Sequence, residues 1–186
     1  MRSIFVAVGL LSTTSLHAAT YVEEPALGHW VMGVGLHGGS TVASDQALVP
    51  LGIAGVTATT GYAWESGLSV LSCGGFTARA ADDARSAFVG AEAASLREWS
   101  LGLALRFSPF SSDVAPFVEV GAHAVVVRSE TVSTQGGMVS GKLGVRVRLE
   151  GFEPWVAGAV DEVRIGAAEP SRSTRLTLAV GIVWSL

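Results

Sequence analysis

RLTLAVGIVWSL, Arg175 to Leu186, alternates strictly: Leu176, Leu178, Val180, Ile182, Trp184 and Leu186 form one file, and Thr177, Ala179, Gly181, Val183 and Ser185 form the other. A strand turns successive side chains to opposite faces, so this stretch reads as a strand with one apolar face and one small or weakly polar face. In a soluble sandwich the apolar face would meet a core. The same alternation recurs upstream in segments of about ten residues, the pattern expected of strands that cross a bilayer.

The bulk composition agrees with that pattern. The chain has 186 residues, the length of one domain. It is 49% hydrophobic and only 15% charged, with a mean hydropathy of +0.47. No run beyond the first dozen residues approaches the ~20 apolar residues of a membrane helix, so the apolar content is spread over short alternating segments. The 23 glycines disfavour helices and suit strands packed into a narrow barrel. A net charge of −4 without a basic run offers no footprint for nucleic acid. The single Cys73 cannot make an internal disulfide and reads as a small residue inside a strand.

Met1 to Ala19 has the layout of a secretory signal: Arg2 supplies the positive start, Ile4 to Leu11 the apolar centre and Leu16-His17-Ala18-Ala19 the cleavage region. Residues 20–28 form a short polar lead, and 29–186 carry the strands. The expected strands are His29–Gly38, Ile53–Trp64, Leu68–Ala80, Leu96–Phe107, Phe117–Arg128, Met138–Glu150, Pro154–Ile165 and Arg175–Leu186. Glu65-Ser66-Gly67, Ser108 to Pro116 and Gly151 to Glu153 connect them at one end, and longer loops at the other. Short turns force antiparallel neighbours. Gly33-Val-Gly35-Leu-His-Gly38 spells the dinucleotide fingerprint, but it lies within an alternating strand and no helix opens after it, so it carries no nucleotide site.

Ala115-Pro116-Phe117-Val118-Glu119-Val120-Gly121-Ala122 and Glu153-Pro154-Trp155-Val156-Ala157-Gly158 both resemble the strand opening of small bacterial outer-membrane β-barrels, and the closing strand resembles the apolar, aromatic-bearing last strand of that family. The resemblance is to barrels of the OmpA transmembrane domain, OmpX and OmpW sort. It implies an all-β, eight-stranded antiparallel up-and-down transmembrane barrel with both termini in the periplasm. It further implies an exported monomer in the outer membrane, surrounded by outer-membrane lipids and lipopolysaccharide. Ile182, Trp184 and Leu186 would serve as the signal read by the barrel assembly machinery.

Within that architecture the inward file carries Glu98, Arg106, Glu119, His123, Lys142, Arg146, Arg148 and Asp161. Enclosed charges must be paired or hydrated, so a salt-bridge network filling the lumen is expected, with a narrow polar conduit as the alternative. Trp30, Trp64, Phe107, Phe117, Trp155 and Trp184 fall at the periplasmic ends of their strands, and Trp99 and Phe76 towards the other rim, which reads as an aromatic girdle.

Three functions stay open: a structural or surface-interaction barrel acting through its outer loops, a lipid A deacylase-like enzyme, and a soluble lipocalin-like barrel. Catalysis by Ser needs a base within hydrogen-bond reach, itself oriented by a carboxylate. His123 has Val125 as its same-face neighbour, and His37 lies near Ser40 without an evident acid. No catalytic, cofactor-binding or metal-ligating residue is nominated.

Overall fold

The computed structural model describes residues 28–44, 52–80, 96–109, 112–128, 133–166 and 171–186. The signal segment, nearly all of the polar lead and the loop 81–95 lie outside the described residues. Eight strands follow one another: β1 Gly28–Ser44, β2 Gly52–Trp64, β3 Leu68–Ala80, β4 Leu96–Phe107, β5 Val114–Arg128, β6 Ser133–Val147, β7 Phe152–Ile165 and β8 Ser171–Ser185. Each pairs antiparallel with the next, and β8 returns to β1, closing an up-and-down barrel.

Period-two alternation sets the two surfaces. Leu101, Leu103 and Leu105 of β4 are 67, 64 and 50% exposed, whereas Glu98, Ala104 and Arg106 of the same strand are buried. The same division holds on β1, where Met32, Val34 and Leu36 point out and Val31 and Gly33 in. This inverts a soluble barrel, whose apolar file would line the core. An exterior of this kind is solvated by hydrocarbon. Among the described residues no helix is long and apolar enough to cross a membrane, and the strands make the crossing.

The β2–β3 turn needs its glycine. Gly67 has a φ of +85°, the left-handed region that L side chains avoid. Its N–H donates to Trp64 O at 3.0 Å, and its carbonyl accepts Ser108 N–H at 2.9 Å, tying this turn to the next one.

Strand boundaries differ from the sequence reading chiefly at the end away from the termini. β1 runs on to Ser44, and β6 begins at Ser133, so residues read as loop extend the sheet. Low strand propensity at Gly136-Gly137 loses to pairing. β5 lies on one side of this stretch and β7 on the other, so its backbone groups find partners.

The seam is made late in the chain. Met32 pairs with Trp184 and Gly33 with Val183, and Leu186 N–H donates to Trp30 O at 2.8 Å. An open edge in hydrocarbon leaves backbone groups unsatisfied at several kcal/mol each. Deleting Val183 to Leu186 is therefore expected to abolish the heat-modifiable gel mobility of a folded barrel, and normal mobility of the truncated chain would count against the seam as the closing step.

Candidate functional site in the barrel lumen

Three charged clusters are stacked along the lumen. Farthest from the termini, Arg175 of β8 donates to both carboxylate oxygens of Glu98 on β4, at 2.8 and 2.7 Å. β4 and β8 stand on opposite walls of the closed barrel, so this ion pair crosses its full width. Both side chains are only 2% exposed.

The second cluster centres on Glu119 of β5. Arg106, its register partner on β4, donates through Nε at 2.9 Å and Nη2 at 2.7 Å, and Lys142, its partner on β6, donates at 2.6 Å. The Arg106 guanidinium also lies over the Phe117 ring, 4.7 Å from its centroid, and 5.8 Å from that of Trp155. These two rings meet edge to face at 6.2 Å. With Val31, Leu71, Ala157 and Val183 they make the apolar core of the lumen at the end nearer the termini.

The third cluster lies at the mouth of that end. Glu153 accepts Arg146 at 2.5 Å and Arg148 at 3.1 Å. Ser108 accepts Arg146 Nε at 3.1 Å and donates to Pro116 O at 2.8 Å.

Between the first two clusters is a cavity of about 60 Å³, lined by His37, Thr77, His123, Ser140 and Asp161 among others. That is room for a few water molecules. His37 Nε2 is 3.0 Å from Thr77 Oγ1, and His123 Nε2 is 3.2 Å from Ser140 Oγ. The second contact is a histidine beside a serine hydroxyl, two parts of a nucleophilic site. The third part is not supplied among the described residues, where His123 Nδ1 has no hydrogen-bond partner to orient the ring.

Glu98, Arg106, Glu119, His123, Lys142, Arg146 and Asp161 stand on the inward files, as alternation requires. Arg148 does not: it follows the last residue of β6, is about half exposed, and reaches Glu153 from the rim. Trp155 and Phe117 must likewise be moved from the girdle to the lumen, where they are 9 and 1% exposed. The physical reason is parity, because Trp155 shares a face with Asp161, and Phe117 with Glu119. Trp30, Trp64, Trp99, Phe107 and Trp184 do belong to outward files, and Tyr62 links Trp30 to Trp64 through edge contacts at 5.8 and 5.1 Å. Ile182 also faces out. His37 points inward and Ser40 does not, so the two form no site. Arg175 and Glu153 escaped the sequence reading, although each has the parity of residues assigned to the lumen.

No protein-family model and no curated protein matches the chain. Solved structures do. Neisserial surface protein A is 13% identical with a TM-score of 0.62, over 88% of this chain and 100% of its own. The outer membrane enzyme PagL is 14% identical with a TM-score of 0.53, over 79% of this chain and 97% of its own. Ail, the attachment invasion locus protein of Yersinia pestis, crystallised with the heparin analogue sucrose octasulfate, is 12% identical with a TM-score of 0.47, over 84% of this chain and 99% of its own. The likeness to the first two is one of fold, and with the apolar exterior it defines the class: a small eight-stranded β-barrel of the bacterial outer-membrane type.

Proposed function

We propose that the protein is an integral outer-membrane barrel with a side-chain-filled lumen, acting structurally or through the loops at the end away from its termini. Those termini face the periplasm, and the loops face the cell surface, where lipopolysaccharide and external partners are met. The observation that carries this reading is the inversion of the two surfaces, leucines outside and three closed ion clusters within. It runs against the lipocalin-like alternative, which needs an apolar interior. The enzymatic alternative gains a histidine–serine contact but, among the described residues, no orienting carboxylate, and its pair sits in the lumen, away from acyl chains.

Two measurements test the reading together. The protein is expected in the outer-membrane fraction with heat-modifiable mobility, and reconstituted into planar bilayers it is expected to show no channel steps, because the Glu98–Arg175 pair and the Glu119 cluster block the lumen in series. A soluble periplasmic product would overturn the membrane assignment, and regular conductance steps would overturn the filled lumen.

A further inference from the structure

On the outer wall, towards the end away from the termini, Arg97 of β4 and Arg128 of β5 are register partners. Both are exposed and belong to outward files. Like charges directly opposite one another on antiparallel strands repel. Neither makes an ion pair or hydrogen bond among the described residues. Their outward neighbours in register are Ala78 and Ser133, which bring no carboxylate, and Glu98 beside them points inward to Arg175. The chain also shows how such a doublet can be neutralised: Arg164 and Arg172 are register partners too, and Glu162 accepts from both, at 2.8 and 2.7 Å. At Arg97 and Arg128 no carboxylate among the described residues takes that place.

What lies below the doublet bears on which anion would suit it. Trp99 is two residues further along β4, and its ring packs on Phe76 at 4.6 Å. These two rings edge an apolar groove of about 920 Å³, with Val34, Leu36, Val56 and Ile182 also lining it. A paired cation above an apolar groove suits an amphiphile with an anionic head and an acyl tail. Two guanidinium forks match a phosphate monoester, which carries about −1.5 to −2 charges near neutral pH, better than a singly charged diester.

We propose that Arg97 and Arg128 clamp a phosphate monoester of a lipid A-type headgroup in the outer leaflet, with an acyl chain of the same molecule lying along Phe76 and Trp99. This rests on the membrane reading above.

The test is native mass spectrometry of the refolded barrel in detergent, titrated separately with bisphosphorylated lipid A, its dephosphorylated counterpart, phosphatidylglycerol and inorganic phosphate. The first is expected to bind and the others to bind at least about tenfold more weakly, the scale of losing one hydrogen-bonded charged partner. Arg97→Gln and Arg128→Gln should each weaken lipid A binding to a similar degree, whereas Arg164→Gln should leave it unchanged. Lipid A should also raise the melting temperature of the parent protein and not that of the Arg97→Gln/Arg128→Gln variant, which without lipid should melt no lower than the parent, since a repulsion has been removed.

Unchanged binding by a double variant of normal heat-modifiable mobility would overturn the site. Equal binding of the dephosphorylated lipid or of phosphatidylglycerol would overturn the monoester, and full competition by inorganic phosphate would overturn the lipid as occupant. A parent chain that fails to insert into micelles would instead overturn the membrane reading.

Discussion

Leu103→Arg is expected to destabilise the barrel, refolded into lipid vesicles, by about 2 to 4 kcal/mol, the cost of an arginine at the bilayer midplane. Leu103 lies midway along the outward file of β4, between Trp99 and Phe107, and is 64% exposed. The natural comparison on the opposite face, Gly102→Ser, is a poor control. A Cβ at Gly102 would fall 2.6 Å from His123 Cα, so the backbone of β5 would have to move. Alternation alone makes Gly102 a harmless lumenal position, and the close approach of two strands makes it an intolerant one.

Orientation is better read by labelling, on a Cys73→Ser background that removes the one buried thiol. Leu101, Leu103 and Leu105, each changed to Cys, should react with a membrane-dissolved apolar maleimide, and Ala104→Cys, from a position 3% exposed, should not. Protection of the leucine file, or equal labelling of both faces, would overturn the lipid-facing assignment.

How much of this was legible depends on which interactions the sequence displays. Alternation along one strand is local, and it suffices for β3 and β4, whose ends coincide with the expected ones. Applied without exception, it also puts Trp155 and Phe117 inside and adds Arg175 and Glu153 to the lumen. Height along the strand places the aromatic residues near a rim, and height does not decide the face. Other features are unavailable to any single strand. His123 meets Ser140, 17 residues distant in sequence, diagonally across the β5–β6 pairing, where its own register partner is Met138, whereas its same-face neighbour along its own strand is Val125. Arg175 reaches Glu98 across 77 residues and the whole barrel width, a contact that exists only once the barrel has closed. The recurring Pro-aromatic-Val opening carries its meaning in the same way. Each copy sends its ring inward, and the two rings meet edge to face in the lumen with the Arg106 guanidinium over both.

The Glu98–Arg175 pair gives the other large expected effect. Two charges have been taken from water into a site where each is 2% exposed, and a two-pronged hydrogen bond compensates them. Removing Glu98 leaves Arg175 buried without its carboxylate, so Glu98→Leu alone should cost about 3 to 5 kcal/mol, and Arg175→Met, which takes away the two-pronged bond to Glu98, should also destabilise. The combined variant removes both desolvation penalties and should recover most of that loss, because apolar replacement of a whole buried pair is often neutral or stabilising. Urea unfolding of the four proteins in vesicles supplies the double-mutant cycle, with a large coupling as the expected result. A Glu98→Leu cost below about 1 kcal/mol, the scale of a hydrated surface bridge, would mean that water reaches the pair from the outer mouth. The lumen would then be a wetted passage interrupted only by the Glu119 cluster and the ring pair below it. In that case Glu119→Gln, which loosens the remaining barrier, should open channel steps in planar bilayers that the parent protein lacks. With the pair dry, Glu119→Gln should open none, because the Glu98–Arg175 bridge still spans the lumen above it.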